Sequence, residues 1–370
     1  MGNILGNNLK MIVSGESHGE YLCVTLDNFP CGVKIDYDYI NECLIERRPI
    51  GLGETMRIEP DEYKIISGVF NDITTGQAIS IIIPNVHKNS NDYEDIKFLL
   101  RPSHADFTGY MKYHGFNDYR GGGHFSGRLT SAIVIAGCIC DMALHKYNIL
   151  VSSHIKNIGE IYDRSFNTID LEKIKTDIEV LNNKHFKVLD NVEDKMLNLM
   201  AEIALSNDSI GGSIETIIIG HPIGLGDPMF NSIESEISKA IFSIPAVKGI
   251  EFGLGFEFEN KKGSETNDEY TLSEAEIITK TNNNAGINGG ITNGMPIYFK
   301  TVIKPTPSIS RAQGTVNIKT KQKEVLEING RHDPAIVRRA NVVVRSITSF
   351  VMTDFIIEKY GNDFYTLEKL

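Results

Sequence analysis

Residues 9–14 and 21–27 are short apolar runs rich in β-branched and aromatic side chains. They predict two strands on either side of the turn Gly15-Glu16-Ser17-His18-Gly19. Ile40, Cys43 and Leu44 then fall on one face of a helix that Asp36 can cap and that runs towards Arg48. Pro49-Ile50-Gly51-Leu52-Gly53 breaks that helix into a loop, and residues 56–59, 63–70 and 79–83 read as successive strands. Leu129, Ile133, Ala136 and Cys140 recur at helical spacing inside a helix predicted over residues 127–146. Residues 166–205 are polar with helical patches, and residues 229–244 form an amphipathic helix after Asp227-Pro228. Residues 295–303 return to strand. A last long helix is expected to begin at Asp333-Pro334, capped by Asp333, and to carry Ile336, Val343, Ile347, Phe350 and Ile356. Strands and helices interleave without the regular rhythm of a parallel βαβ sheet, so the pattern predicts an α+β fold with largely antiparallel strands. No repeat or Pro/Ser-rich linker divides the chain, and a single domain over residues 1–370 is expected.

Composition narrows the function classes. The formal net charge of −11 argues against a nucleic-acid partner. No apolar run approaches the ~18 residues of a membrane span, so no membrane association is expected. The five cysteines form no CxxC pair, and Cys138 and Cys140 sit in an apolar run. Buried free thiols, no metal site and a reducing, cytoplasmic setting follow as expectations. Against the acidic background, Arg47, Arg48, Arg57, Arg101, Arg120, Arg128, Arg331, Arg338 and Arg339 gather in or beside glycine- and histidine-containing motifs. That distribution suits a small anionic ligand.

Two histidines carry the chemistry. His18 lies in the turn above, and His104 lies in Arg101-Pro102-Ser103-His104-Ala105-Asp106. Imidazole exchanges protons near neutral pH, and an arginine beside it suits an acid acting on an oxyanion. The first turn formally fits the G-x-S-x-G elbow of serine hydrolases through Ser17, but an elbow needs a helix after the turn and residues 21–26 look like strand. Arg120-Gly121-Gly122-Gly123-His124-Phe125-Ser126-Gly127-Arg128 lets the backbone approach a ligand ahead of a helix N-terminus. Ala285-Gly286-Ile287-Asn288-Gly289-Gly290-Ile291-Thr292-Asn293-Gly294 is a second glycine-rich bend, and Gly330-Arg331-His332-Asp333-Pro334 offers a carboxylate beside two cations. Each segment alone is also compatible with a structural turn or a salt-bridged surface loop.

In order along the chain, these motifs resemble the chorismate synthase family. The resemblance also takes in Ser67-Gly68-Val69-Phe70, Thr74-Thr75-Gly76, Asp118-Tyr119, Ser243-Ile244-Pro245-Ala246-Val247-Lys248-Gly249, Gly263-Ser264-Glu265 and Lys304-Pro305-Thr306. It implies a β-α-β sandwich core, with helices between two antiparallel sheets. It implies a lyase that converts 5-enolpyruvylshikimate 3-phosphate to chorismate and phosphate by 1,4-anti elimination with reduced FMN (FMNH2), the last step of the shikimate pathway. NADPH would serve only to reduce the flavin, done by the chain itself or by an external flavin reductase. Family members are typically homotetramers.

By the same resemblance, His18 would donate a proton to reduced flavin, His104 would be the acid near the departing phosphate, and Asp333 would help deprotonate the flavin. Ser17, Arg48, Arg101, Ser126, Arg128 and Arg331 would hold the substrate. Arg47, His124, Phe125, Ser126, Pro245, Ala246, Gly289, Lys304, Pro305, Thr306, Pro307, Ser308 and Arg331 would line the flavin. The chain departs from the family pattern at His124-Phe125, where many members carry arginine then serine, and at Gly53-Glu54, where many carry a second arginine. The bend at Ala285-Gly286-Ile287 is one residue short. The rival reading these departures motivate is a flavin-binding relative that has lost turnover.

Overall fold

A computed structural model describes residues 2–49, 60–86, 97–328 and 333–363. The first sheet has the order β1-β2-β3-β7-β4, from β1 (Ile4–Leu5), β2 (Lys10–Ser14), β3 (Tyr21–Asp27), β4 (Lys64–Ser67) and β7 (Ile79–Pro84). The small hairpin β5 (Val69–Phe70) and β6 (Ile73–Thr74) lies between β4 and β7 in sequence. The second sheet has the order β11-β16-β10-β8-β9, from β8 (Leu150–Ile158), β9 (Ile161–Tyr162), β10 (Gly212–Ile219), β11 (Val247–Phe252) and β16 (Ile297–Ile303). Hairpins β12 (Tyr270–Ser273) with β13 (Glu276–Thr279), and β14 (Ile287–Asn288) with β15 (Ile291–Thr292), interrupt the run from β11 to β16. A last hairpin joins β17 (Gln313–Val316) and β18 (Lys323–Leu326). Every strand pair among the described residues is antiparallel.

Helices fill the space between the two sheets. α1 (Tyr37–Arg47) starts at Asp36, whose carboxylate accepts the Tyr39 N–H at 3.0 Å, and it buries Ile40, Cys43 and Leu44 as the spacing predicts. α3 (Thr130–His145) follows a 3-10 turn at Gly127–Leu129, packs on β2 and β3, and reaches β8 on the other side. α8 (Val337–Tyr360) lies along α3 and covers β8 and β10. α3 and α8 approach closely at Gly137, where an added methyl would overlap the Ser346 backbone. α6 (Ile233–Ile241) packs on α8 and β11. The N-terminus is tied in by Asp354 of α8, whose carboxylate accepts the N–H groups of Asn7, Asn8 and Leu9 at 2.6–2.7 Å. The α+β sandwich of helices between antiparallel sheets is therefore the architecture observed.

The polar stretch 166–205 resolves into α4 (Leu171–Asn182) and α5 (Glu193–Leu205). α4 covers the outer face of the second sheet, setting Ile174, Ile178 and Leu181 against Ile217 and Ile219. A fully buried ion network holds this segment down: His154 of β8 sits 2.9 Å from Asp163 and 3.0 Å from Glu215 of β10.

Three expectations need correction. The helix expected over residues 229–244 is shorter: a 3-10 turn at Met229–Asn231 precedes α6, and Ser232 caps it by accepting the Ser235 N–H at 3.1 Å. α8 begins at Val337, and Asp333 does not cap it, because Arg339 from the helix's first turn takes the Asp333 carboxylate. Two helical stretches, Gly127–His145 and Val337–Tyr360, are long and apolar enough to cross a membrane, contrary to the estimate from apolar runs. Their most apolar windows are 78% and 100% buried inside the fold, so that apolarity serves the core. Cys43, Cys138 and Cys140 are buried free thiols, while Cys23 and Cys31 are half-buried. The expected strand at residues 56–59 lies outside the described residues.

Candidate active site

β2 and β3 stay paired up to Ser14 opposite Cys23, so the residues between them form a tight loop at the end of the sheet. A strand follows the turn, and the hydrolase-elbow geometry is absent. Both Ser17 and His18 are buried. The Ser17 N–H donates to Gly123 O at 3.1 Å, and Ser17 Oγ lies 3.2 Å from the carbonyl oxygens of Arg120 and Gly121. The same hydroxyl is 3.0 Å from His18 Nδ1.

The three glycines adopt left-handed conformations, with φ of 57°, 85° and 54° at Gly121, Gly122 and Gly123. Their neighbours explain the missing side chains. A Cβ on Gly121 would overlap the His18 ring and lie 2.7 Å from Ser17 Oγ. One on Gly122 would meet His104 Cε1 and Nε2 at 3.5 Å, and one on Gly123 would overlap the Asp118 carbonyl. The two histidines singled out from the sequence thus pack on consecutive residues of one turn.

His104 is held by its own loop. Its Nδ1 lies 2.7 Å from Asp106 Oδ1, and Arg101 grips the same carboxylate through Nε at 2.8 Å and Nη2 at 2.7 Å. Burial alone would raise the Asp106 pKa, but the hydrogen bonds from Arg101 and His104 outweigh it and hold the carboxyl far below the usual range. A cavity of about 220 Å³ lies against Arg101 and Asp106, lined also by Phe98, Tyr110, Asn117 and Tyr119.

Arginines converge where α1 ends and α3 begins. Asp61, with no exposed side-chain surface, sits 2.6 Å from Arg47, pairs with Arg128 Nη1, and lies 4.0 Å from Arg48 Nε. Arg128 Nε also donates to Asn85 Oδ1 at 3.0 Å, while Asn85 Nδ2 donates to the carbonyls of Glu16 and Gly19 at 3.0 and 3.1 Å. Asp61 and Asn85 thereby tie the arginine cluster to the His18 turn. Neither has a motif around it, and an isolated polar residue after a proline is the only signal in the sequence. Three guanidinium groups around one carboxylate leave local positive charge, as an anionic ligand requires. Ser126 serves as a cap, its Oγ accepting the Arg128 N–H at 3.3 Å.

The start of α8 closes this region. Arg338 and Arg339 donate to the last carbonyls of α1, Arg339 Nε reaching Arg47 O at 2.8 Å and Arg338 Nη1 reaching Glu46 O at 3.0 Å. Arg339 also pairs with Asp333. The Ile210 N–H donates to Pro334 O at 2.7 Å, and Gly211 beside it packs against Pro305. Lys304 N–H bonds Ala246 O, following Pro245, and Lys304 Nζ reaches Ser103 O, both at 2.9 Å. Segments 245–246, 304–306 and 333–334 therefore run as one rim from His104 towards the arginines, with Pro307 and Ser308 next in the chain.

His124 lies in an aromatic cluster, its ring 4.2 Å from Phe125 and edge-on to Tyr113 at 5.0 Å. Gly289 turns the β14–β15 hairpin, which packs on the segment before α6, where Asn231 bonds Glu358 near the far end of α8. Arg331, Gly53, Glu54 and Arg57 lie outside the described residues. Among the described residues no cluster of metal-ligating side chains occurs.

A profile of the chorismate synthase family matches residues 9–357. The chain is 42% identical over 357 residues to the chorismate synthase of Dehalococcoides mccartyi strain BAV1, covering 96% of each chain. It is 41% identical over 353 residues to that of Pyrococcus abyssi, covering 95% of this chain and 97% of the relative. A crystal structure of chorismate synthase aligns with a TM-score of 0.77 at 27% identity, covering 97% of this chain and 94% of that one.

Proposed function

The chain belongs to the chorismate synthase family, carbon–oxygen lyases of the shikimate pathway, and we propose that it converts 5-enolpyruvylshikimate 3-phosphate to chorismate and phosphate by 1,4-anti elimination around the Gly121–Gly122 turn, with reduced FMN as cofactor. The observation that carries this reading is the packing of His18 and His104 on those two consecutive glycines, beside a cluster of arginines. The residues present suit a flavin. Thr306 Oγ1 and His124 Nε2 are buried without a hydrogen-bond partner among the described residues, and both fall in segments assigned to it. Arg47, Phe125, Pro245, Ala246, Lys304, Pro305, Pro307, Ser308 and Arg331 keep their assignment as flavin-lining residues. When bound, reduced FMN supplies electron density as the phosphate departs; the C6 hydrogen has no adjacent carbonyl to acidify it, so simple acid–base catalysis is insufficient.

The chain's own residues bind, orient and move protons. Arg101, Arg128, Arg48 and Arg331 hold the phosphate and two carboxylates of the substrate, with Ser17 and Ser126 adding hydroxyls. His104 gives a proton to the departing phosphate oxygen. His18, oriented through Nδ1 by Ser17 Oγ, manages the proton exchanged on the cofactor side. Asp333, oriented by Arg339, is the carboxylate that accepts a proton there. The same reading makes the enzyme a cytoplasmic homotetramer of single-domain chains. NADPH enters only where flavin is reduced, by the chain itself or by an external flavin reductase.

Phosphate release from 5-enolpyruvylshikimate 3-phosphate with reduced FMN under anaerobic conditions tests the reading. Release is expected, slowed roughly 10²–10⁴-fold in His18→Ala and in His104→Ala. Flavin binding without any phosphate release would leave a binding protein instead, and near-normal rates in both variants would remove the proton roles.

A further inference from the structure

We propose that Asp106 is the positioning residue for His104, setting which ring nitrogen faces the glycine turn and so which one gives up its proton. The inference rests on the reading of His104 as a proton donor and adds a residue to which that reading gives no part.

Four donors converge on this one carboxylate. The Arg101 backbone N–H reaches Oδ2 at 3.0 Å, Arg101 Nε reaches Oδ2 at 2.8 Å, and Arg101 Nη2 reaches Oδ1 at 2.7 Å. His104 Nδ1 is 2.7 Å from Oδ1. An ionised carboxylate only accepts hydrogen bonds, so Nδ1 must carry its proton and Nε2 is the nitrogen that gains or loses one. Nε2 is also the nitrogen that faces the turn, where a Cβ on Gly122 would sit 3.5 Å away. The backbone makes this arrangement possible: Ser103 takes a φ of 58°, which folds His104 and Asp106 back onto Arg101.

The charged groups around the ring define the balance. On its own loop are Arg101 and Asp106. Lys304 comes in against Ser103 O, and across the glycine turn stand His18 and the Asp118–Arg120 pair. Asp106 is the carboxylate in direct contact with the ring, and being ionised it can only accept from Nδ1. An acid acting on a leaving phosphate needs its donor nitrogen turned towards the oxygen on which charge develops.

The test is the pH dependence of kcat for anaerobic phosphate release with reduced FMN in Asp106→Asn, Asp106→Glu, His104→Ala and the Asp106→Asn/His104→Ala double variant. In Asp106→Asn, kcat is expected to fall roughly 10–10²-fold. The limb on which kcat falls with rising pH should move to lower pH, because the ring loses the carboxylate in contact with it. In the His104→Ala background the same substitution should cost less than in wild type, since the ring is gone and only the hold on Arg101 is left to lose. Asp106→Glu keeps the charge, so its limb should stay within about 0.3 unit of wild type; this variant carries the test alone if Asp106→Asn does not fold. A slow His104→Ala enzyme combined with an unshifted Asp106→Asn limb or an additive loss overturns the role of Asp106 alone. So does an Asp106→Glu limb displaced by a full unit. A near-normal His104→Ala enzyme overturns the reading of His104 itself, and this inference with it.

Discussion

Gly121→Ala separates strain in the glycine turn from damage to His18. At φ 57° an alanine pays the left-handed penalty of about 1–2 kcal/mol. Its Cβ would also overlap Cε1 and Nδ1 of His18 and press on Ser17 Oγ at 2.7 Å. The ring must then retreat by roughly 1 Å to regain ordinary contact. A displacement of that size at a reacting group costs about 10²-fold in rate, or about 2.7 kcal/mol in activation free energy. Gly122→Ala is the control. Its φ of 85° brings similar strain, but its Cβ meets His104 at 3.5 Å, which is ordinary contact. Urea unfolding should show the left-handed cost in both variants and a larger loss in Gly121→Ala, whose methyl must also displace a buried ring. Anaerobic phosphate release should show a loss of about 10²-fold in Gly121→Ala and less than about tenfold in Gly122→Ala. Equal activities in the two would refute the argument that Gly121 is bare to admit His18.

Two further predictions concern the scaffold. His154→Gln should destabilise the fold by about 3–5 kcal/mol in urea unfolding, because it breaks a buried ion network. Burial opposes protonation of His154, but its hydrogen bonds to Asp163 and Glu215 win and raise its pKa above the ordinary 6.5. The stability it contributes is therefore fully present below about pH 6.5 and fades as pH climbs through the raised value. The gap between wild type and variant should shrink as pH rises above about 6.5; a gap that is constant or widens would count against the charged network. Gly137→Ala should lose about 1–3 kcal/mol from overpacking against Ser346, although helix propensity alone would favour alanine by about 1 kcal/mol. A more stable variant, judged by its urea midpoint, would mean that α3 and α8 can part without loss.

Local pattern made several elements legible. Asp36 with Ile40, Cys43 and Leu44 located α1, since a cap and a buried face are properties of neighbouring residues. The runs on either side of the His18 turn located β2 and β3 for the same reason. Helix ends were less legible. Asp333 looked like a cap from its proline neighbour, yet the guanidinium of Arg339 is a stronger partner for a carboxylate than a backbone N–H. The hydroxyl of Ser232, rather than Pro228, ended up opening α6.

The candidate site divides along the same line. By itself the sequence singled out the side chains proposed to carry the chemistry, because His18, His104, the three glycines and Asp333 each stand in a recognisable short motif. It also determined the family, through the order of those motifs. Which groups meet was decided only by the tertiary structure. Asp61 gathers Arg47, Arg48 and Arg128, and Asn85 hooks Arg128 to the His18 turn, from positions with no motif of their own. An arginine's partner is whichever buried carboxylate the fold brings within reach, and local spacing does not encode that choice. The juxtaposition of His18 and His104 has the same origin. It exists because the β2–β3 loop, the glycine turn before α3 and the Arg101–Asp106 loop are packed together by the sheet and helices behind them.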